Sequence, residues 1–165
     1  MVAGRADSYI SRMLEYSTQI EIDAPTSIVW AVLTDTQAWP EWDPFCVDIR
    51  TKGELALGTQ VTAFTKLAPG RGFTVKVTTD EPEQKMDWTG GMPFGLFKGE
   101  RTYALQNLGG RTYFTMREVF SGPMLKLIGK TIPDMNEAFE SFANGLQLRA
   151  ESMVSGPAED LRGVG

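Results

Sequence analysis

Arg101 and Glu118 are the residues of this chain best placed for a chemical role. Each stands in a run of alternating apolar side chains: Phe97, Arg101, Tyr103 and Leu105 in one, Phe114, Met116, Glu118 and Phe120 in the other. The runs are joined through Gly109-Gly110, a dipeptide that favours a two-residue hairpin because both positions accept positive φ. Taking these glycines as the loop pairs Leu108 with Arg111, Leu105 with Phe114, Tyr103 with Met116 and Arg101 with Glu118. Alternation then puts all of these side chains but Leu108 and Arg111 on one face, apolar except for one cation and one anion set opposite each other. A slip of one residue would turn either strand over, so this reading hangs on the glycine turn.

Two roles are open to such a pair. It is either an ion pair satisfied within the protein, or a polar anchor that orients a ligand in an apolar cavity. A guanidinium opposite Glu118 favours the ionised carboxylate, which makes it a poor proton donor and at best a weak base. The chain has no histidine and a single cysteine, Cys46. Ser-His-Asp and Cys-His centres are therefore excluded, as are imidazole or thiolate zinc sites. No phosphate-binding glycine loop is visible, and neither a metal nor a cofactor is implied. Acid–base chemistry near neutrality would need a carboxyl raised by burial, or Tyr103 as donor, so binding outranks catalysis.

The supporting elements fit one domain. At 165 residues, with 42% hydrophobic and 22% charged residues, the chain is long enough to bury about 70% of its unfolded surface. A net charge of −5 argues against nucleic acid or an anionic membrane as the main partner. One cysteine precludes an internal disulfide and suits a reducing compartment; no secretory signal or apolar run of ~20 residues is visible. The expectation is a cytoplasmic protein without stable membrane insertion, its oligomeric state open. Residues 1–12 read as an arm, 13–154 as the domain and 155–165 as a frayed tail.

Within the domain, a strand over about Tyr16–Ile22 precedes Pro25 and the stripe Ile28, Val29, Val32 and Leu33, a short helix. A second short helix covers Gln37–Trp42. Phe45, Val47 and Ile49 alternate in a strand, followed by strands around Val61–Ala63, Phe73–Val77 and Met86–Trp88, then the opening hairpin. Pro133 starts or kinks a long helix carrying Met135, Phe139, Phe142, Leu146 and Met153 on one side. The fold class is α+β: a curved antiparallel sheet of about seven strands around a long C-terminal helix, with two short helices between strands one and two.

This order resembles the helix-grip fold of the START-like, or SRPBCC, superfamily, and within it the polyketide cyclase/dehydrase and lipid-transport family. The carrying residues are Ile22-Asp23-Ala24-Pro25 with Val29-Trp30, then Asp35, Trp39, Trp42 and Pro44. Gly58, Met86-Asp87-Trp88, Leu105 and Glu118-Val119-Phe120-Ser121-Gly122-Pro123 continue the match. The resemblance implies a deep apolar cavity between sheet and helix, its mouth rimmed by Pro69–Gly72 and Gly91–Gly95. A small hydrophobic molecule would fill it: a lipid, a sterol or an aromatic polyketide-like compound. Arg101, Glu118, Tyr103, Trp88, Phe97, Phe114, Met116, Met135, Phe139 and Phe142 would line it.

Each assignment has a plainer counterpart. Trp88 and the Met135/Phe139/Phe142 stripe pack a core whether or not a void adjoins them. Met92, Phe94 and Leu96 either close over a ligand or tuck into the core. Lys126 and Lys130 flank an apolar stripe that is either an amphipathic lead-in to the long helix or a membrane-touching segment. An enzyme holding its substrate by shape, and a module docking a protein through Met92–Phe97, are the competing functions.

Overall fold

The computed structural model of the chain describes residues 13–156. The expected arm lies outside them, as does the tail beyond Gly156. Seven strands form one antiparallel sheet: β1 (Met13–Ile22), β2 (Cys46–Thr51), β3 (Gln60–Thr65), β4 (Gly72–Glu81), β5 (Lys85–Gly91), β6 (Lys98–Asn107) and β7 (Thr112–Ser121). Their order across the sheet is β1-β7-β6-β5-β4-β3-β2, so β1 and β2 are the edges. Helix α1 (Thr26–Thr34), a 3₁₀ turn (Thr36–Ala38) and α2 (Trp39–Trp42) connect β1 to β2. After β7 come α3 (Leu125–Ile128), a second 3₁₀ turn and the 20-residue α4 (Asn136–Ser155). The sheet curls into a half-barrel around α4, a helix-grip architecture.

The glycine turn sets the register expected of it. Gly109 and Gly110 both have positive φ, 76° and 89°, and the Leu108 amide donates to the Arg111 carbonyl at 2.8 Å. Leu105 faces Phe114, Tyr103 faces Met116 and Arg101 faces Glu118. β1 pairs residue for residue with β7 from Met13↔Ser121 to Ile22↔Thr112, which is why it starts three residues before Tyr16.

Two local expectations are corrected. The alternation of Phe45, Val47 and Ile49 fails because β2 carries a bulge between Cys46 and Asp48. An extra residue on one strand re-aims the side chains beyond it, so Cys46 and Ile49 are buried and Val47 is exposed. The long helix starts at Asn136 rather than at Pro133. Proline disfavours helical backbone in the residue before it, and Ile132 is extended (φ −76°, ψ 119°). Asp134 then accepts the Asn136 amide at 2.9 Å.

α4 fills the concave face with Phe139, Phe142, Ala143, Leu146 and Ala150, the spacing of one helical stripe. They join Ile22, Val29, Leu33, Phe114 and Met116 in one core, where each large side chain contributes about 1.5–3 kcal/mol by leaving water. Gly145 lets α2 and α4 touch through their backbones: a Cβ there would lie 2.1 Å from the Trp42 carbonyl oxygen. Near the other end of α4, Glu151 accepts the Asp23 amide and Gln147 donates to the Glu21 carbonyl, both at 2.9 Å.

Candidate functional site

The strand register sorts the concave face into layers. Nearest the glycine turn lie Ile22 and Thr112, then Ile20, Phe114 and Leu105, then Thr18, Met116, Tyr103 and Met86. The fourth layer is Tyr16, Glu118, Arg101 and Trp88, and the outermost is Leu14, Phe120, Gly99 and Gly90. Burial is uneven across these layers, with Trp88 and Phe120 buried in the outer two and Ile20 and Thr18 on the edge strand half-buried. Ile22, Thr112, Phe114, Met116, Tyr103 and Met86 are sealed, whereas Arg101 and Glu118 keep 24% and 13% of their side-chain surface. Arg101 and Glu118 are thus a partly wet polar pair with the sealed side chains of β6 and β7 beneath it.

Arg101 donates from Nε (2.9 Å) and Nη2 to one oxygen, Glu118 Oε2. Its guanidinium also sits 5.0 Å above the centre of the Phe139 ring, so α4 caps the pair with a π face. Burial opposes the charge on Arg101, but Glu118 opposite it holds the guanidinium above its ordinary range. Tyr103, one layer deeper, is pushed up to about 12 by burial, with Arg101 pulling the other way. Its oxygen lies within reach of the Arg101 guanidinium, but its O–H finds no acceptor, and neither do the buried indole N–H groups of Trp88 and Trp42. These are three donors in one aromatic cluster. Buried donors normally find an acceptor, and the protein's own groups supply none to these three.

The rings around them are in mutual contact. Trp39 stacks on Trp88 (5.3 Å, 11°) and meets Phe142 edge to face at 5.0 Å. Trp88 meets Tyr103 at 5.3 Å, Trp42 meets Phe142 at 5.0 Å and Phe114 stacks on Phe142 at 6.2 Å. The deep half between sheet and helix is thus occupied by side chains. Of the expected lining residues, Arg101, Glu118, Trp88, Tyr103 and Phe139 come together around the ion pair. Met135 is half-buried just ahead of α4, and Phe97 stacks on Phe120 at 5.8 Å in the outermost layer. Phe114, Met116 and Phe142 belong to the sealed half. Two surface pockets lie elsewhere. One of about 550 Å³ is lined by Met13, Leu14, Leu125, Lys126, Gly129 and Lys130. Another of about 300 Å³ lies between the end of α1 and the β2–β3 loop.

Asp43 is a buried carboxyl within electrostatic reach of Arg101 that sequence reading missed. It is buried just after α2, and its Oδ1 accepts the Phe45 amide at 3.1 Å. Burial raises its carboxyl above the usual carboxylate range, opposed by that amide and by the charges of Arg101 and Lys66. The only signal was its place in Trp42-Asp43-Pro44, a polar residue between an indole and a helix-ending proline. Asp87, also buried, is held by Thr102 at 2.5 Å and Lys85 at 3.2 Å on the opposite face of β5, and serves the sheet. Among the described residues no group of three His, Cys, Asp or Glu is placed to hold a metal ion.

A half-barrel gripping a helix, with a polar island in an aromatic interior, defines the START/SRPBCC class of scaffold. The chain belongs to the polyketide cyclase/dehydrase and lipid transport family, whose sequence profile matches residues 13–151. Among solved structures it is similar to the ZhuI aromatase/cyclase of Streptomyces sp. R1128 (TM-score 0.67, 15% identity, 90% of this chain and 98% of that one). It is also similar to a START superfamily protein of Mycobacterium smegmatis (0.60, 19%, 83% and 97%). The norcoclaurine synthase of Thalictrum flavum, solved with dopamine and hydroxybenzaldehyde, matches at 0.61 with 14% identity over 96% and 98% of the two chains. No curated protein matches the chain. No helix among the described residues is long and apolar enough to cross a membrane.

Proposed function

We propose that the protein binds a small hydrophobic molecule carrying at least one oxygen acceptor, held at the Arg101–Glu118 layer under Phe139. A lipid, a sterol or an aromatic polyketide-like compound has this character, and a cytoplasmic setting suits the single buried thiol of Cys46. The observation that carries the reading is the pair of donors without an acceptor, the Tyr103 O–H and the Trp88 indole N–H, beside the Arg101–Glu118 pair. Arg101 already shares its charge with Glu118, so the uncharged donors are the ones left for a ligand oxygen. Phe139, Phe97 and Met135 supply the apolar contacts, and the sealed half beneath acts as a floor. Native mass spectrometry of freshly purified protein tests this directly, together with melting curves in the presence of apolar ketones and fatty acids. A co-purified molecule or a rise in melting temperature is expected. The absence of both would overturn it.

An enzyme of the cyclase or dehydratase type is the second reading, favoured by Asp43. A carboxyl raised by burial is suited to hold a proton, and the Arg101 charge acts on it. Turnover that falls in Glu118→Gln or Tyr103→Phe without unfolding supports catalysis. Binding that persists with no turnover of any bound compound rules it out.

A further inference from the structure

The tip of the β5–β6 loop and the outer side of α3 present side chains that neither the core nor the interior site uses. The loop is closed at its foot by the Met92 amide donating to the Phe97 carbonyl at 2.8 Å. At its tip Phe94 is 99% exposed and held in left-handed backbone (φ 60°, ψ 23°). Such backbone is costly for a residue with a Cβ, so a large aromatic side chain is displayed in water at the expense of local strain. Met92 and Leu96 beside it are also exposed. The Leu96 carbonyl accepts the Met124 amide at 2.9 Å, which fastens the loop to the start of α3. There Leu125 turns inward while Leu127, 70% exposed, faces water with Lys126. Lys126 and Lys130 border the apolar pocket that includes Met13 and Leu14.

The charge pattern says what this surface fits. The chain has 21 acidic residues against 16 basic ones. Yet residues 88–99 and 119–133 contain none of the acidic residues, and they contribute Lys98, Lys126 and Lys130. Lys98 is paired with Glu100 at 3.3 Å at the foot of the loop. Lys126 and Lys130 meet no carboxylate among the described residues. The segments that build this aromatic-tipped, lysine-bearing face are thus free of acidic residues in an otherwise anionic protein. An apolar tip that enters the acyl boundary and lysines that meet lipid phosphates are the two requirements for adsorption to a bilayer.

We infer that this face docks on an anionic lipid surface, with Phe94 and Leu127 inserting and Lys126 and Lys130 contacting headgroup phosphates. The contact is peripheral and reversible, since no helix among the described residues spans. Nothing in it depends on which molecule the interior takes.

The experiment is vesicle co-sedimentation of the purified full chain, with phosphatidylcholine vesicles alone and with vesicles containing a large share of phosphatidylglycerol. Binding is expected to the anionic vesicles only and to weaken with salt. Phe94→Ser lowers the partition coefficient roughly tenfold. Lys126→Gln with Lys130→Gln lowers it roughly twenty-five-fold, at about fivefold per lysine. Leu148→Ser, an equally exposed leucine on α4, leaves it unchanged. Unchanged melting temperatures show that the variants fold. Failure to bind anionic vesicles at low salt would overturn the inference, as would equal binding by Phe94→Ser and the parent. A dimer dispersed by Phe94→Ser in protein that ignores vesicles would overturn it too, and would assign the face to a second copy.

Discussion

Replacing Tyr103 with Phe should stabilise the ligand-free protein. The hydroxyl is fully buried and its O–H finds no acceptor, while the ring packs against Trp88, Trp39 and Phe142. Phenylalanine keeps those ring contacts and leaves no cavity larger than one oxygen. An unsatisfied buried polar group costs about 1–3 kcal/mol. The neighbouring Arg101 guanidinium interacts favourably with the phenol oxygen and offsets part of this, so a net gain of about 1 kcal/mol is expected. In a domain of this size that is roughly 2–4 °C in melting temperature. Urea titration and calorimetry of delipidated protein measure it, and the slope of the urea transition should stay unchanged. The same substitution should weaken a ketone-bearing ligand and leave its hydrocarbon analogue unaffected, because only the former uses the hydroxyl. A loss of stability in the ligand-free protein would show that the hydroxyl is already satisfied, and the argument for a waiting donor would collapse.

Three other outcomes rest on the same geometry. Arg101→Met leaves Glu118 without its partner and should cost about 2 kcal/mol, less than the ~3–5 for a dry pair because both side chains are partly wet. Adding Glu118→Leu should restore most of that loss in a urea double-mutant cycle, and simple additivity of the two losses would show that the side chains do not interact. Asp43 gives a pH dependence of known sign. Its folded pKa is raised above the unfolded value of about 3.9, so its contribution is fully present below that value and declines as pH climbs through the raised one. Asp43→Asn keeps the acceptor for the Phe45 amide and should flatten melting temperature against pH across that window, with a gain at neutral pH; an unaltered profile would exclude Asp43 as its source. Cys46 is buried and its thiol is pushed up to about 12 by desolvation. Iodoacetamide at a pH of about 8, below even an ordinary thiol pKa, should therefore leave it unmodified until the protein is unfolded in urea, as read by intact mass.

What could be read along the chain came from local rules. Gly109-Gly110 admits one hairpin geometry, and the hairpin carries Arg101 to Glu118 without help from the rest of the fold. The stripe of Phe139, Phe142 and Leu146 has helical period and has to be buried. β2 escaped the same reasoning because a bulge is set by pairing with β3, which a period-two pattern cannot see. Asp43 escaped because a lone polar residue after a short helix looks like any surface loop until α2 is pressed onto α4 through Gly145.

Local order along the chain was enough for the hairpin register, the apolar faces and the absence of histidine chemistry, since each depends on residue identity or on neighbours within a few residues. Which half of the interior is sealed had to await the closed fold. Trp39 reaches across from the β1–β2 connection to stack on Trp88, a contact between residues 49 positions apart that no local pattern encodes. The same closure placed Asp43 near Arg101, left the Tyr103 and Trp88 donors unpaired, and joined the Phe94 loop to α3. Burial, desolvation and surface continuity are sums over everything that packs around a group, and they exist only once the chain has closed on itself.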